Sequence, residues 1–182
     1  SNLETFAAAK LVIDSERWHS VPVYLRAGKA MSEKLTQVDI VFKGDGEATD
    51  KNHTENVFTF RLQPHEGIAM RMLIKKPGLD TSTKPVTLDY CYHDSEDGQM
   101  LSGGYDKILL DAINGDQTLF PSDTEIMSNW KLFQPILDEW ESHGETLEFY
   151  EKGTDSVEAG RALLEKDDAT WVKHDAWACQ VK

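Results

Sequence analysis

Cysteine is nearly absent: Cys91 and Cys179 are the two in 182 residues, far apart, with neither metal-ligand spacing nor the framework that staples small secreted domains. A reducing, cytoplasmic setting is the expectation. Twelve glycines are present, yet none falls into the G-x-G-x-x-G turn of a dinucleotide-binding half. No apolar run approaches the roughly 18 residues needed to cross a bilayer, and no signal pattern opens the chain. Positive charge is scarce as well. With 19 Lys and Arg against 32 Asp and Glu, the formal charge of -13 repels nucleic acid and anionic lipid at long range. Six histidines are scattered without a second histidine or cysteine at ligand spacing, so no metal is expected. The acidic run Asp94, Glu96 and Asp97 lacks a calcium-loop pattern, and solvation accounts for it. No internal repeat is found.

What the chain does have is a local cationic cluster. Val21, Val23 and Leu25 alternate with Pro22, Tyr24 and Arg26, the period-2 pattern of a strand buried on one face. Gly28 follows, where a positive φ and a close ligand approach are both open to a glycine, and Lys29 stands beside it. Arg26, Lys29 and Lys34 thus gather around a strand end, and can override the global field within roughly a Debye length of 8 Å. That composition suits an anion. At 182 residues and 40% apolar content, one domain spanning residues 1–182 is the default.

The element pattern predicts an α+β fold: a large, mainly antiparallel sheet with helices packed on one face. Strands are expected in 4–14, 21–26, 38–42, 57–62, 68–74 and 85–92, the fourth and fifth forming a hairpin and the last an edge strand. Segment 45–55 is polar and glycine-marked, hence a mobile loop. Short connections leave little room for crossover helices. Met70, Met72, Ile74 and Tyr90 give the sheet more apolar surface than one set of helices covers, which calls for a partner.

Helices follow. Tyr105, Ile108, Leu109, Ala112 and Ile113 recur at helical spacing before Asn114-Gly115. Ser122 and Glu125 have the form of a capping box before a stripe running from Ile126 to Trp140, which Pro135 should kink or break. A third helix is expected over 157–166, and Trp171 and Trp177 should anchor the terminus to the body.

The string Glu16 to Lys29, ERWHSVPVYLRAGK, resembles the signature of the glucose-6-phosphate dehydrogenase family, E-R-W-x-G-V-P-F-x-x-R-x-G-K, with Ser20 in the glycine's place and Val23 in the phenylalanine's. Thr5-Phe6-Ala7-Ala8, Arg61-Leu62-Gln63-Pro64-His65-Glu66, Lys75-Lys76-Pro77-Gly78 and the run from Tyr105 to Phe120 resemble further blocks of that family in the same order. The blocks carrying its phosphate-binding and general-base histidines are absent, as is its nucleotide half. The resemblance therefore implies about the C-terminal third of an NADP-dependent enzyme of the pentose phosphate pathway, inactive alone and with no catalytic residue of its own. It implies that Lys29 and Lys34 contact the sugar phosphate of glucose 6-phosphate and Gln63 a sugar hydroxyl, and that the sheet forms a homodimer or homotetramer. NADP would be bound by the N-terminal domain. The second, structural NADP of animal relatives is not expected, because basic positions there are Leu35 and Asp39 here, and an aspartate-alanine pair is Gly103-Gly104. The rival is a non-catalytic dimerisation or regulatory module derived from the same domain, and a dehydrogenase of another hexose phosphate is a third possibility.

Overall fold

The computed structural model describes residues 3–43, 55–92, 104–143, 147–173 and 179. Most of segment 45–55, the run Asp94, Glu96 and Asp97, Gly103, Trp177, and His53, His93 and His174 lie outside them. The chain forms two compact units, one of Leu3–Glu96 with Tyr150–Lys182, the other of Asp97–Phe149.

The first unit holds all six described strands. β1 (Phe6–Val12) and β2 (Pro22–Gly28) pair antiparallel, from Phe6 opposite Gly28 to Val12 opposite Pro22. β3 (Thr36–Val41), β4 (Val57–Gln63), β5 (Gly67–Lys75) and β6 (Thr83–Cys91) form a second sheet in sequential order, every ladder antiparallel. The α+β, antiparallel architecture is the one read from sequence, with the strands shared between two sheets. β4 and β5 make the expected hairpin, joined through a cis Gln63–Pro64 peptide and a left-handed His65 at φ 59°. β6 is an edge strand, as its Pro85 requires.

The register separates two chemistries on the four-stranded sheet. Val38, Phe60, Ile68 and Tyr90 lie in one cross-strand row and Ile40, Phe58, Met70 and Leu88 in the next. Period-2 geometry puts both rows on one face. Both rows are apolar, and their members on the edge strands stand open: Val38 is 51% exposed, Leu88 59% and Tyr90 48%. The opposite face carries Gln37, Asp39, Thr59 and the buried Arg61, tied together by Thr59 Oγ1 donating to Asp39 at 2.7 Å and Gln37 Nε2 to Asp39 at 2.8 Å.

Cys91 and Cys179 are joined in a disulfide with Cα atoms 5.2 Å apart, which corrects the reading of two unrelated thiols. Separation along the chain hid a proximity that only folding creates. Cys91 closes β6 opposite Gly67, and Cys179 packs there with Ala69 in a buried cluster. Cysteine usage therefore no longer argues for a reducing compartment.

α3 (Glu158–Glu165) packs on β1 at a glycine: a Cβ on Gly160 would lie 2.9 Å from Phe6 Cζ. Trp171 Nε1 donates to the Gly160 carbonyl at 3.0 Å, so this tryptophan anchors the chain as expected. Another correction concerns Gly28. The left-handed residues here are Ser20 (φ 64°) and Ala30 (φ 51°), while Gly28 serves close packing, its Cβ position lying 2.7 Å from Met31 Sδ. The conformation at Ser20 also explains why a glycine suits that signature position.

The second unit contains α1 (Gly104–Asn114) and α2 (Asp123–His143). Gly115 at φ 70° ends α1 with Asp116 N–H donating to the Asp111 carbonyl at 2.9 Å, a Schellman closure. The capping box is present: Glu125 N–H donates to Ser122 Oγ at 3.3 Å and Ser122 N–H to Glu125 Oε2 at 2.7 Å. The Ser122 N–H, with the Ser122 hydroxyl donating to the same Oε2 at 2.9 Å, holds the Glu125 carboxyl below its ordinary value, the backbone N–H first. Pro135 does not break α2, which is assigned as helix throughout. A proline removes one donor of a 21-residue ladder, and the turns on either side retain theirs.

Candidate functional site

Lys29 leaves β2 at the start of the connection 29–35 that leads to β3, and Lys34 stands near its far end. Thr36 faces Gln63 across the β3–β4 ladder, which brings Lys34, two residues earlier, to the sheet end where Gln63 stands. One short connection thus joins the two predicted cations, and its landing point adjoins the predicted amide. All three residues are exposed.

Backbone hydrogen bonds determine where that connection lies. Lys29 N–H donates to the Thr5 carbonyl at 2.8 Å, extending the β1–β2 ladder by one residue. Segment 150–154 runs beside it: Gly153 N–H donates to the Ala30 carbonyl at 2.8 Å, and Ser32 N–H to the Thr154 carbonyl at 2.9 Å. Tyr150 Oη lies 2.8 Å from the Lys29 carbonyl.

Arg26, grouped with the lysines on sequence grounds, is directed elsewhere. Its guanidinium lies over the Trp171 ring, 4.5 Å from the centroid. Desolvation draws its pKa below the ordinary value, against the opposing charges of Asp39 and Asp155. Arg61 is buried and bonded through Nη1 to Glu33 at 3.2 Å and through Nη2 to Gln37 at 3.3 Å. Both arginines thus have partners inside the chain.

Among the described residues, Asp89, Cys91 and Cys179 bring three ligand-type atoms within 4.8 Å, but the two sulfurs are joined to one another and offer no thiolate. No helix among the described residues is long and apolar enough to cross a membrane.

Sequence reasoning missed Tyr150, Trp171 as the partner of Arg26, and the disulfide. The first two had no local signal, since each acts on residues more than a hundred positions away.

Residues 1–172 match the model of the glucose-6-phosphate dehydrogenase C-terminal domain. The chain is 37% identical over 179 residues to glucose-6-phosphate 1-dehydrogenase of Chlamydia pneumoniae, covering 94% of this chain and 35% of that one. It is 37% identical over 172 residues to the enzyme of Aggregatibacter actinomycetemcomitans, covering 94% and 34%. A solved glucose-6-phosphate dehydrogenase in complex with its substrate glucose 6-phosphate superposes with a TM-score of 0.84 at 31% identity, over 95% of this chain and 36% of that chain. The chain spans about a third of the length of the relatives it matches. It belongs to the glucose-6-phosphate dehydrogenase family and corresponds to that family's C-terminal domain.

Proposed function

We propose that residues 1–182 act as one substrate-binding and dimerisation domain of a cytoplasmic, NADP-dependent dehydrogenase of glucose 6-phosphate. In the complete enzyme, residues outside this chain remove the C1 hydroxyl proton. The oxidised nicotinamide, when bound there, accepts the hydride from C1, giving the lactone. The domain's part is binding and orientation. Lys29 and Lys34 hold the phosphate dianion, whose several acceptor oxygens match two ammonium groups, and Gln63 exchanges hydrogen bonds with a sugar hydroxyl. The apolar face of the four-stranded sheet meets a second copy.

The observation that carries the reading is the single connection 29–35, which bears both lysines and lands beside Gln63. A remote phosphate anchor fixes the reacting carbon, so its loss shows in substrate affinity first. Lys29→Ala in the complete enzyme should raise KM for glucose 6-phosphate roughly 10- to 100-fold, the value of a hydrogen bond to a charged group. An unchanged KM would falsify the assignment. Assays on other hexose phosphates with both nicotinamides separate this substrate from its rivals, and complete lack of activity would favour the non-catalytic module.

A further inference from the structure

We infer that Tyr150 is a positioning residue for the phosphate anchor, its hydroxyl setting the backbone from which Lys29 reaches substrate. Tyr150 Oη lies 2.8 Å from the Lys29 carbonyl, 3.0 Å from the Thr5 carbonyl and 3.1 Å from Thr5 Oγ1. A phenol has one proton to give, so the two carbonyls share it while the Thr5 hydroxyl donates back. The hydroxyl therefore joins the start of β1 to the end of β2 at the residue where their ladder stops. Its ring is held by an edge-on contact with Phe6, centroids 5.9 Å apart, and by the chain that follows: Gly153 and Thr154 bond to Ala30 and Ser32. Ala30 sits in the left-handed region at φ 51°, a conformation an alanine adopts only when neighbours impose it. The 150–154 segment supplies that imposition. A lysine side chain has four rotatable bonds, so its reach is only as well defined as its Cα. The phenol is the one side chain among the described residues shown bonded to the Lys29 backbone.

This inference rests on Lys29 being the phosphate anchor, and the test keeps the two apart. Tyr150→Phe, Lys29→Ala and the double variant are compared in the complete enzyme. Tyr150→Phe keeps the ring and should raise KM for glucose 6-phosphate about three- to tenfold with kcat nearly unchanged. Added to Lys29→Ala, it should change KM no further, because its effect passes through the lysine. A wild-type KM in Tyr150→Phe, or an equal KM rise in the Lys29→Ala background, overturns the inference while leaving the anchor intact. A wild-type KM in Lys29→Ala sinks both. A merely structural tyrosine would lower the melting temperature without the KM shift, which also counts against the inference. If Tyr150→Phe does not fold, Thr5→Ala removes one partner of the same hydroxyl and must give a smaller KM rise in the same direction.

Discussion

Two parts of the first unit achieve order by opposite means. Around β1, β2 and α3, apolar burial is modest and position is set by directed bonds and close approaches: Tyr150 on Thr5 and Lys29, Trp171 on Gly160, and Gly28 and Gly160 packed where no Cβ fits. The four-stranded sheet has a polar network on one face and an open apolar layer on the other. The first arrangement fixes a few atoms closely and the second leaves surface that needs covering. A phosphate anchor belongs with the first, because a dianion is held by donors whose geometry does not drift, whereas non-directional burial suits an interface.

The largest expected effect asks whether the four-stranded sheet stands without covalent help. The disulfide closes a loop of 88 residues, for which chain entropy gives about 4–5 kcal/mol of stabilisation. Urea unfolding with and without a dithiol reductant should show a loss of about 2–5 kcal/mol, allowing for structure left in the reduced state. A loss below about 1 kcal/mol would mean that Cys91 and Cys179 are held together by packing alone, and would erase one difference between the two regions.

Next in size is the apolar face itself. Leu88 lies on edge strand β6 and is 59% exposed, so Leu88→Lys can keep its ammonium in water in the free chain. Against a second copy that charge would be desolvated, costing about 2–3 kcal/mol or more, and association should weaken about 30- to 150-fold. Sedimentation velocity across a concentration series measures it. A wild-type profile would remove this face from the assembly.

Legibility in the sequence followed the range of the interaction. The strands of both sheets, the Ser122–Glu125 box and the Gly115 stop were readable because period-2 alternation, capping and left-handed glycine act within a few residues. Lys29, Lys34 and Gln63 could be named from resemblance, and the pairing of Thr36 with Gln63 places two of them at one sheet end. Tyr150, the contact of Trp171 with Arg26, and the disulfide were not readable, since each joins residues that only the folded chain brings together. Arg26 misled for a related reason: a cation next to two lysines in sequence is turned onto Trp171 by the strand's alternation.

The smallest effect probes the directed bonds of the first region through pH. Lys10 and Tyr24 face each other across the β1–β2 ladder, and both donate to Asp167, just beyond α3, Lys10 Nζ at 2.7 and 2.6 Å. Lys10, then Tyr24, holds the Asp167 carboxyl below its ordinary 3.8, while the bond to Asp167, with desolvation behind it, pushes the Tyr24 phenol up to about 12. A carboxyl depressed by folding stabilises above its unfolded value, and that contribution is lost as pH falls through the folded one. A phenol raised by folding stabilises below its unfolded value of 10.0, and the contribution is lost as pH climbs towards about 12. Asp167→Asn should lower the neutral plateau slightly, since the pair is a third exposed, and should flatten both arms. The acid arm is shared with Asp116 and Glu125, whose carboxyls are also held low by their hydrogen-bond donors, so the alkaline arm is the cleaner measure. Chemical denaturation from pH 9 to 12 should show wild type losing more stability than Asp167→Asn across that interval. Parallel curves would mean that Tyr24 and Asp167 are not coupled in solution, and that α3 is held to the strands by Gly160 against Phe6 rather than by the ionic knot.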